Sequence, residues 1–230
     1  MSKLPTKPSN PAVAAFVEKV RSLATVRAGT AGRLMFAMDA TASREPTWDR
    51  ACRIQGDMFA ATQGLGALAI QLVWYRGFGE FDASPWLSSS ADLVRRMTAV
   101  SCHAGETQIA RVLEHAIAET RARKVNAVVF VGDCVEESVD RLAKLAGDLG
   151  LLGVPVFVFH EGGEPVARKC LEEIARLSGG AYCPFDSASA DALRDLLAAV
   201  ATFAVGGRKA LEDFSRRRGG AALQLTHRLR

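Results

Sequence analysis

Asp39, Thr41 and Ser43 occupy alternate positions in the stretch Leu34-Met35-Phe36-Ala37-Met38-Asp39-Ala40-Thr41-Ala42-Ser43. One carboxylate and two hydroxyls at this spacing gather hard oxygen donors within one tight loop, a set that suits Mg²⁺, Ca²⁺ or Mn²⁺ rather than zinc or copper. The same residue types also form turns and cap helices, so this loop alone leaves both readings open. Two further polar loops carry comparable chemistry. One, Ser101-Cys102-His103-Ala104-Gly105-Glu106-Thr107, runs up to a helical stripe; the other ends an apolar run at Gly132-Asp133.

Positioning these groups requires strands that all deliver their ends to one edge. Leu34 to Met38 is wholly apolar and reads as a strand buried on both faces. Ala67 to Tyr75, Asn126 to Val131, Val154 to Phe159 and Ala181 to Phe185 read as strands too. Arg76-Gly77-Phe78-Gly79 followed by Glu80 to Ala83 suits a hairpin with an antiparallel edge strand. Between them the spacing predicts helices: Val13 to Leu23, one opened by Pro46 with Trp48, Ala51, Ile54, Met58 and Ala61, Ala91 to Val100, Ile109 to Thr120, Glu136 to Leu149, Pro165 to Leu177, and Ala190 to Phe203. Alternating helices and apolar strands predict a doubly wound, three-layer α/β/α fold with a mostly parallel sheet. In such a sheet the strands ending in Asp39 and Asp133 are neighbours at the topological switch point, where ligands bind.

The 230 residues, 49% hydrophobic, suffice for one large core, and no internal repeat or second core is evident. The division expected is a lead and helix over 1–28, the α/β domain over 29–205, and a basic tail over 206–230. From Arg208 to Arg230 seven basic residues face two acidic ones, a local excess of +5 within a net charge of +4. Nucleic acid is therefore expected to meet the chain only weakly, through this tail. Five cysteines without a CxxC pair make neither a zinc site nor a disulfide framework and fit a reducing compartment. No stretch approaches a membrane span and the first residues have no apolar signal core, so a cytoplasmic, soluble protein is expected. Gly64-Leu65-Gly66-Ala67 lacks a third glycine and precedes a strand, and there is no P-loop, which excludes the usual nucleotide fingerprints.

Taken together, the three loops resemble the von Willebrand factor A (VWA) domain family. Its metal-ion-dependent adhesion site (MIDAS) reads Asp-x-Ser-x-Ser, then a distant Thr, then a distant Asp. Asp39-Ala40-Thr41-Ala42-Ser43 matches the first element with one Ser-to-Thr exchange, Gly105-Glu106-Thr107-Gln108-Ile109 the second, and Val131-Gly132-Asp133 the third. The resemblance spans about Arg33 to Phe203 and implies a Rossmann-like, six-stranded sheet with one antiparallel edge strand. It implies metal ligation by Asp39, Thr41, Ser43, Thr107 and Asp133, with Mg²⁺ first and Mn²⁺ or Ca²⁺ as alternatives. Two departures stand in the third loop: Gly132 where the family often has Thr or Ser, and Cys134 where it often has Gly.

The function implied is non-catalytic: a cytoplasmic module whose cation binds an Asp or Glu of a protein partner, in an AAA+ ATPase-linked or other multiprotein assembly. Two alternatives remain beside it. A Mg²⁺-dependent phosphatase would use Asp39 as nucleophile, but Thr41 stands where its second carboxylate belongs. A metal-free VWA scaffold would work by shape alone.

Overall fold

The computed structural model describes residues 32–46, 68–185, 200, 201 and 204. The strands are β1 (Gly32–Asp39), β2 (Leu68–Arg76), β3 (Glu80–Ala83), β4 (Ala127–Gly132), β5 (Val156–Glu161) and β6 (Ala181–Phe185). They form one sheet in the order β3-β2-β1-β4-β5-β6. Every pairing is parallel except β2 with β3, which closes the antiparallel edge hairpin. The chain leaves β1 toward β2 on one side and returns to β4 on the other. That reversal puts the switch point between β1 and β4, as the sequence predicts.

The described helices are α1 (Ser90–Thr98), α2 (Ile109–Ala122), α3 (Val139–Leu151) and α4 (Pro165–Leu177). Each start has a chemical cause. Ser89 and Ser138 accept from backbone N–H groups three residues on, Glu164 accepts from Val166 and Ala167 N, and Pro165 opens α4. The Ser138 cap sets the start of α3 at Val139, three residues later than the apolar periodicity suggests.

Strand alternation builds both outer layers. Leu34, Phe36 and Met38 of β1 enter one apolar cluster with Val129, Phe157, Leu93, Met97, Val200 and Ala201. Met35 and Ala37 enter the opposite one with Val128, Val158, Val112, Leu142 and Leu171. Both faces are thus sealed, and each fully buried Leu or Phe contributes about 1.5–3 kcal/mol. This three-layer arrangement holds β1 and β4 rigid and leaves their carboxyl ends to carry polar loops.

Some expectations fall outside the described residues: the 13–23 helix, most of the helix opened by Pro46, the Gly64 break, and the basic tail. Glu45 and Pro46 are helical, as are residues 200, 201 and 204. Among the described residues, no helix is long and apolar enough to cross a membrane.

Candidate metal centre

β1 delivers Asp39 at its last position, fully buried, beside Tyr75 of β2. The Asp39 carboxylate bends the following loop back on itself: its Oδ1 accepts from Thr41 N at 2.8 Å. Its Oδ2 accepts from the Tyr75 hydroxyl at 2.9 Å. The loop then makes a single 3-10 turn, Ala42–Arg44. This turn brings Thr41 Oγ1 within 3.1 Å of Ser43 Oγ. The two hydroxyls of the first loop therefore converge next to the carboxylate, Thr41 buried and Ser43 exposed.

The second loop is stitched to the first by backbone. His103 N donates to Ala40 O at 3.1 Å, and Thr41 bridges His103 in parallel fashion. At its end Thr107 is buried and clasped by the third loop. Thr107 N donates to Glu136 Oε2 at 2.9 Å, while Glu136 N donates to Thr107 Oγ1 at 3.0 Å. Glu137 accepts from Ile109 N and from Ala110 N, so it caps the first turn of α2 from a neighbouring loop. Burial raises the Glu137 carboxyl above its ordinary value despite these bonds.

The third loop carries Asp133, whose Oδ1 is buried and has no hydrogen-bond partner. A buried unpaired carboxylate oxygen is costly and calls for a donor or a cation. Burial also lifts the Asp39 carboxyl above its ordinary range; the bonds from Thr41 oppose the rise, the Asp133 charge adds to it, and Arg44 opposes it. Tyr75 is pushed far up by burial and by the Asp39 charge, so it stays a donor. Two carboxylates that feel each other, with the paired hydroxyls of Thr41 and Ser43 beside Asp39, are the donor types that a hard divalent cation takes. Among the described residues, no three His, Cys, Asp or Glu side chains cluster as an alternative metal site.

Gly132, one of the two departures, has a steric cause. A Cβ there would lie 2.8 Å from the Phe130 ring and 3.5 Å from Asp39 Cβ. Cys134, the other, is half-buried, and burial raises its thiol above the ordinary value. Cys102 is pushed up to about 11, also by burial. Burial thus disfavours the thiolate of both sulfurs.

Two residues that support the loops carry no motif in the sequence. Arg44, 1% exposed, donates to Asp39 O at 3.0 Å, to Val131 O at 3.3 Å, and to Glu161 Oε2 through Nε and Nη2 at 3.1 and 3.0 Å. It thus ties the ends of β1, β4 and β5 together. His160, also buried, joins Asp133 O (3.1 Å) to the Tyr182 hydroxyl (2.7 Å). Because a carbonyl only accepts, Nε2 is the donor in the bond to Asp133 O. A charged or titratable residue at a strand end was the available signal for each; Arg44 directly follows the Asp39–Ser43 motif. Glu106 and His103, in the second loop, are exposed, and His103 lies 3.8 Å from Glu80.

No protein-family model and no curated protein matches the chain. Solved structures match it through the fold. The VWA domain of SpRpn10 aligns with a TM-score of 0.59 at 12% identity, over 73% of this chain and 94% of that one. A von Willebrand factor type A protein from Catenulispora acidiphila gives 0.61 at 17%, over 76% and 43%. Proximal thread matrix protein 1 from the mussel byssus, with a zinc-occupied MIDAS motif, gives 0.60 at 17%, over 77% and 48%. The chain therefore has a VWA-type fold, and it spans less than half the length of the last two structures.

Proposed function

We propose that this chain is a cation-gated docking module in which Asp39, Thr41, Ser43, Thr107 and Asp133 hold a divalent metal, Mg²⁺ first among the choices. The buried, unpartnered Oδ1 of Asp133 beside the buried Asp39 is the observation that carries the proposal. Two carboxylates balance the +2 charge of the ion, and neutral hydroxyls complete a set that keeps a position for an incoming oxygen. When bound, the cation supplies a Lewis-acidic point that a partner's Asp or Glu can occupy as a charge-assisted contact. The chain's own residues provide the rest: Arg44, Tyr75 and Glu136 fix the loops, and no second carboxylate stands at Thr41 to serve a phosphatase. The occupied MIDAS motif of the mussel protein supports a cation at this position of the fold. A cytoplasmic protein partner, an AAA+ ATPase or another multiprotein assembly, completes the proposal.

Isothermal titration of the metal-stripped protein with Mg²⁺, Mn²⁺ and Ca²⁺ tests the ion, with Asp39→Ala as control. Affinity capture in Mg²⁺ and in EDTA then tests the docking. Binding of metal by wild type alone, and of a partner only with metal, is the expected result. Absence of metal binding in wild type would sink the proposal and leave the metal-free scaffold, for which Asp39 already has both oxygens hydrogen-bonded.

A further inference from the structure

The hairpin tip Gly77-Phe78-Gly79 is fastened at several points to the loop that carries Thr107. Gly77 and Gly79 have φ of 56° and 107°, a region open to glycine, so Phe78 is the sole side chain displayed at the tip. Glu106 N donates to Gly77 O at 3.3 Å, and a Cβ on Gly105 would run into that same carbonyl. Arg76 reaches Glu80 Oε2 at 2.8 Å and Ser101 O at 2.9 Å. Arg111 donates to Gly79 O at 2.8 Å, and Gln108 donates to the carbonyls of Arg76 and Glu80. At the centre of these ties Phe78 is 82% exposed.

The topology sets other apolar groups along the same edge. Val139, at the start of α3 after β4, is 46% exposed, and Val166, at the start of α4 after β5, is 62% exposed. Among the described residues, three of the four exposed large hydrophobics thus follow the carboxyl ends of β2, β4 and β5, on the edge where β1 delivers Asp39. Glu45, Glu106, Glu136 and Glu164 are exposed on the same edge. The exposed arginines in the adjoining first turns of α2, α3 and α4 are already bonded, Arg111 to Gly79 O and Gln108, Arg141 to Glu114 and Arg168 to Glu172.

We infer that this edge receives an extended protein segment in which the metal-bound Asp or Glu is accompanied by a large apolar residue, gripped by Phe78, and by Lys or Arg facing the rim glutamates. This inference rests on the docking proposal above and specifies its partner. A rigidly presented aromatic side chain gives contact area at little entropic cost, as binding anchors do. An acidic rim would repel a lone carboxylate, so basic residues beside it provide the charge complementarity.

The test uses the full chain, loaded with Mg²⁺, to select from a displayed library of random peptides. Enriched peptides are then measured against wild type, Phe78→Ser, Phe78→Trp and Asp39→Ala, with Mg²⁺ affinity and thermal unfolding recorded for each. The expected set combines an acid, a large apolar residue and a basic residue. Phe78→Ser should weaken these peptides about tenfold or more with unchanged Mg²⁺ affinity, and Phe78→Trp should retain them. Acidic, metal-dependent peptides that lack both companions, or that bind Phe78→Ser as well as wild type, overturn the inference and leave the docking proposal standing. Peptides that bind equally in EDTA and to Asp39→Ala overturn both.

Discussion

Glu136 and Thr107 hold each other reciprocally, each giving its backbone N–H to the other's side chain, at 2.9 and 3.0 Å. The clasp joins the second and third loops and fixes where the Thr107 hydroxyl can lie. Groups that orient metal ligands commonly matter ten- to a hundredfold to affinity. Glu136→Ala is accordingly expected to weaken Mg²⁺ binding by roughly tenfold in calorimetry, with little change in unfolding temperature. An unchanged affinity would mean that Thr107 is held without the clasp.

Asp133 should be a burden to the metal-free fold. Its unpaired oxygen and its repulsion of Asp39 both disappear in Asp133→Ala. The variant is expected to gain about 1 kcal/mol of stability in EDTA by urea unfolding. Saturating Mg²⁺ should then stabilise wild type, by about 2.7 kcal/mol at a hundredfold excess over the dissociation constant, and leave the variant unmoved. Destabilisation in EDTA would show that Asp133 already has a structural partner.

The raised Asp39 carboxyl gives a signed pH dependence. Between its ordinary value of 3.8 and its higher folded value, the native state binds more protons than the unfolded chain. Its contribution to stability is therefore greatest at the acid end and is lost as pH rises through the folded value. Other carboxylates, such as Glu119 and Glu164, are lowered and slope the opposite way. The measurable quantity is the difference between wild type and Asp39→Asn, recorded by urea unfolding in EDTA. That difference should turn against wild type with rising pH; the reverse trend would contradict the burial of this group.

Arg44 is buried with bonds to two strand-end carbonyls and to Glu161. Removing one partner of a buried ion pair strands the other, at about 3–5 kcal/mol. Arg44→Met should therefore lose about 3 kcal/mol in denaturant unfolding. Arg44→Lys should recover little, because an ammonium cannot span three acceptors in a planar fork. Full recovery by lysine would show that charge alone matters here.

The layer architecture and the three loops were legible because each rests on a local pattern. Leu34 to Met38 is apolar at every position, and that is what burial on both faces demands. Gly77 and Gly79 marked the hairpin turn, and Pro165 marked the start of α4. The support of the site was less visible because its partners are distant in sequence. Tyr75 sits in an apolar strand and shows no sign of bonding Asp39, 36 residues earlier. Arg44 meets Glu161 across 117 residues. Gly132 looked like a departure from a motif, and only the Phe130 ring beneath it supplies the steric reason.

The His160 link to Asp133 and Tyr182 has a bearing on biosynthesis. Asp39, Thr41, Ser43 and Thr107 are all translated before Asp133, and the brace on the Asp133 carbonyl comes from β5 and β6 near the far end of the sheet. A nascent chain that has emerged only through the loop after β4 thus carries all five proposed ligands but lacks the brace on the Asp133 backbone. Under the proposed function, ion-binding competence is therefore expected to arrive late in synthesis, after Tyr182 has joined the sheet.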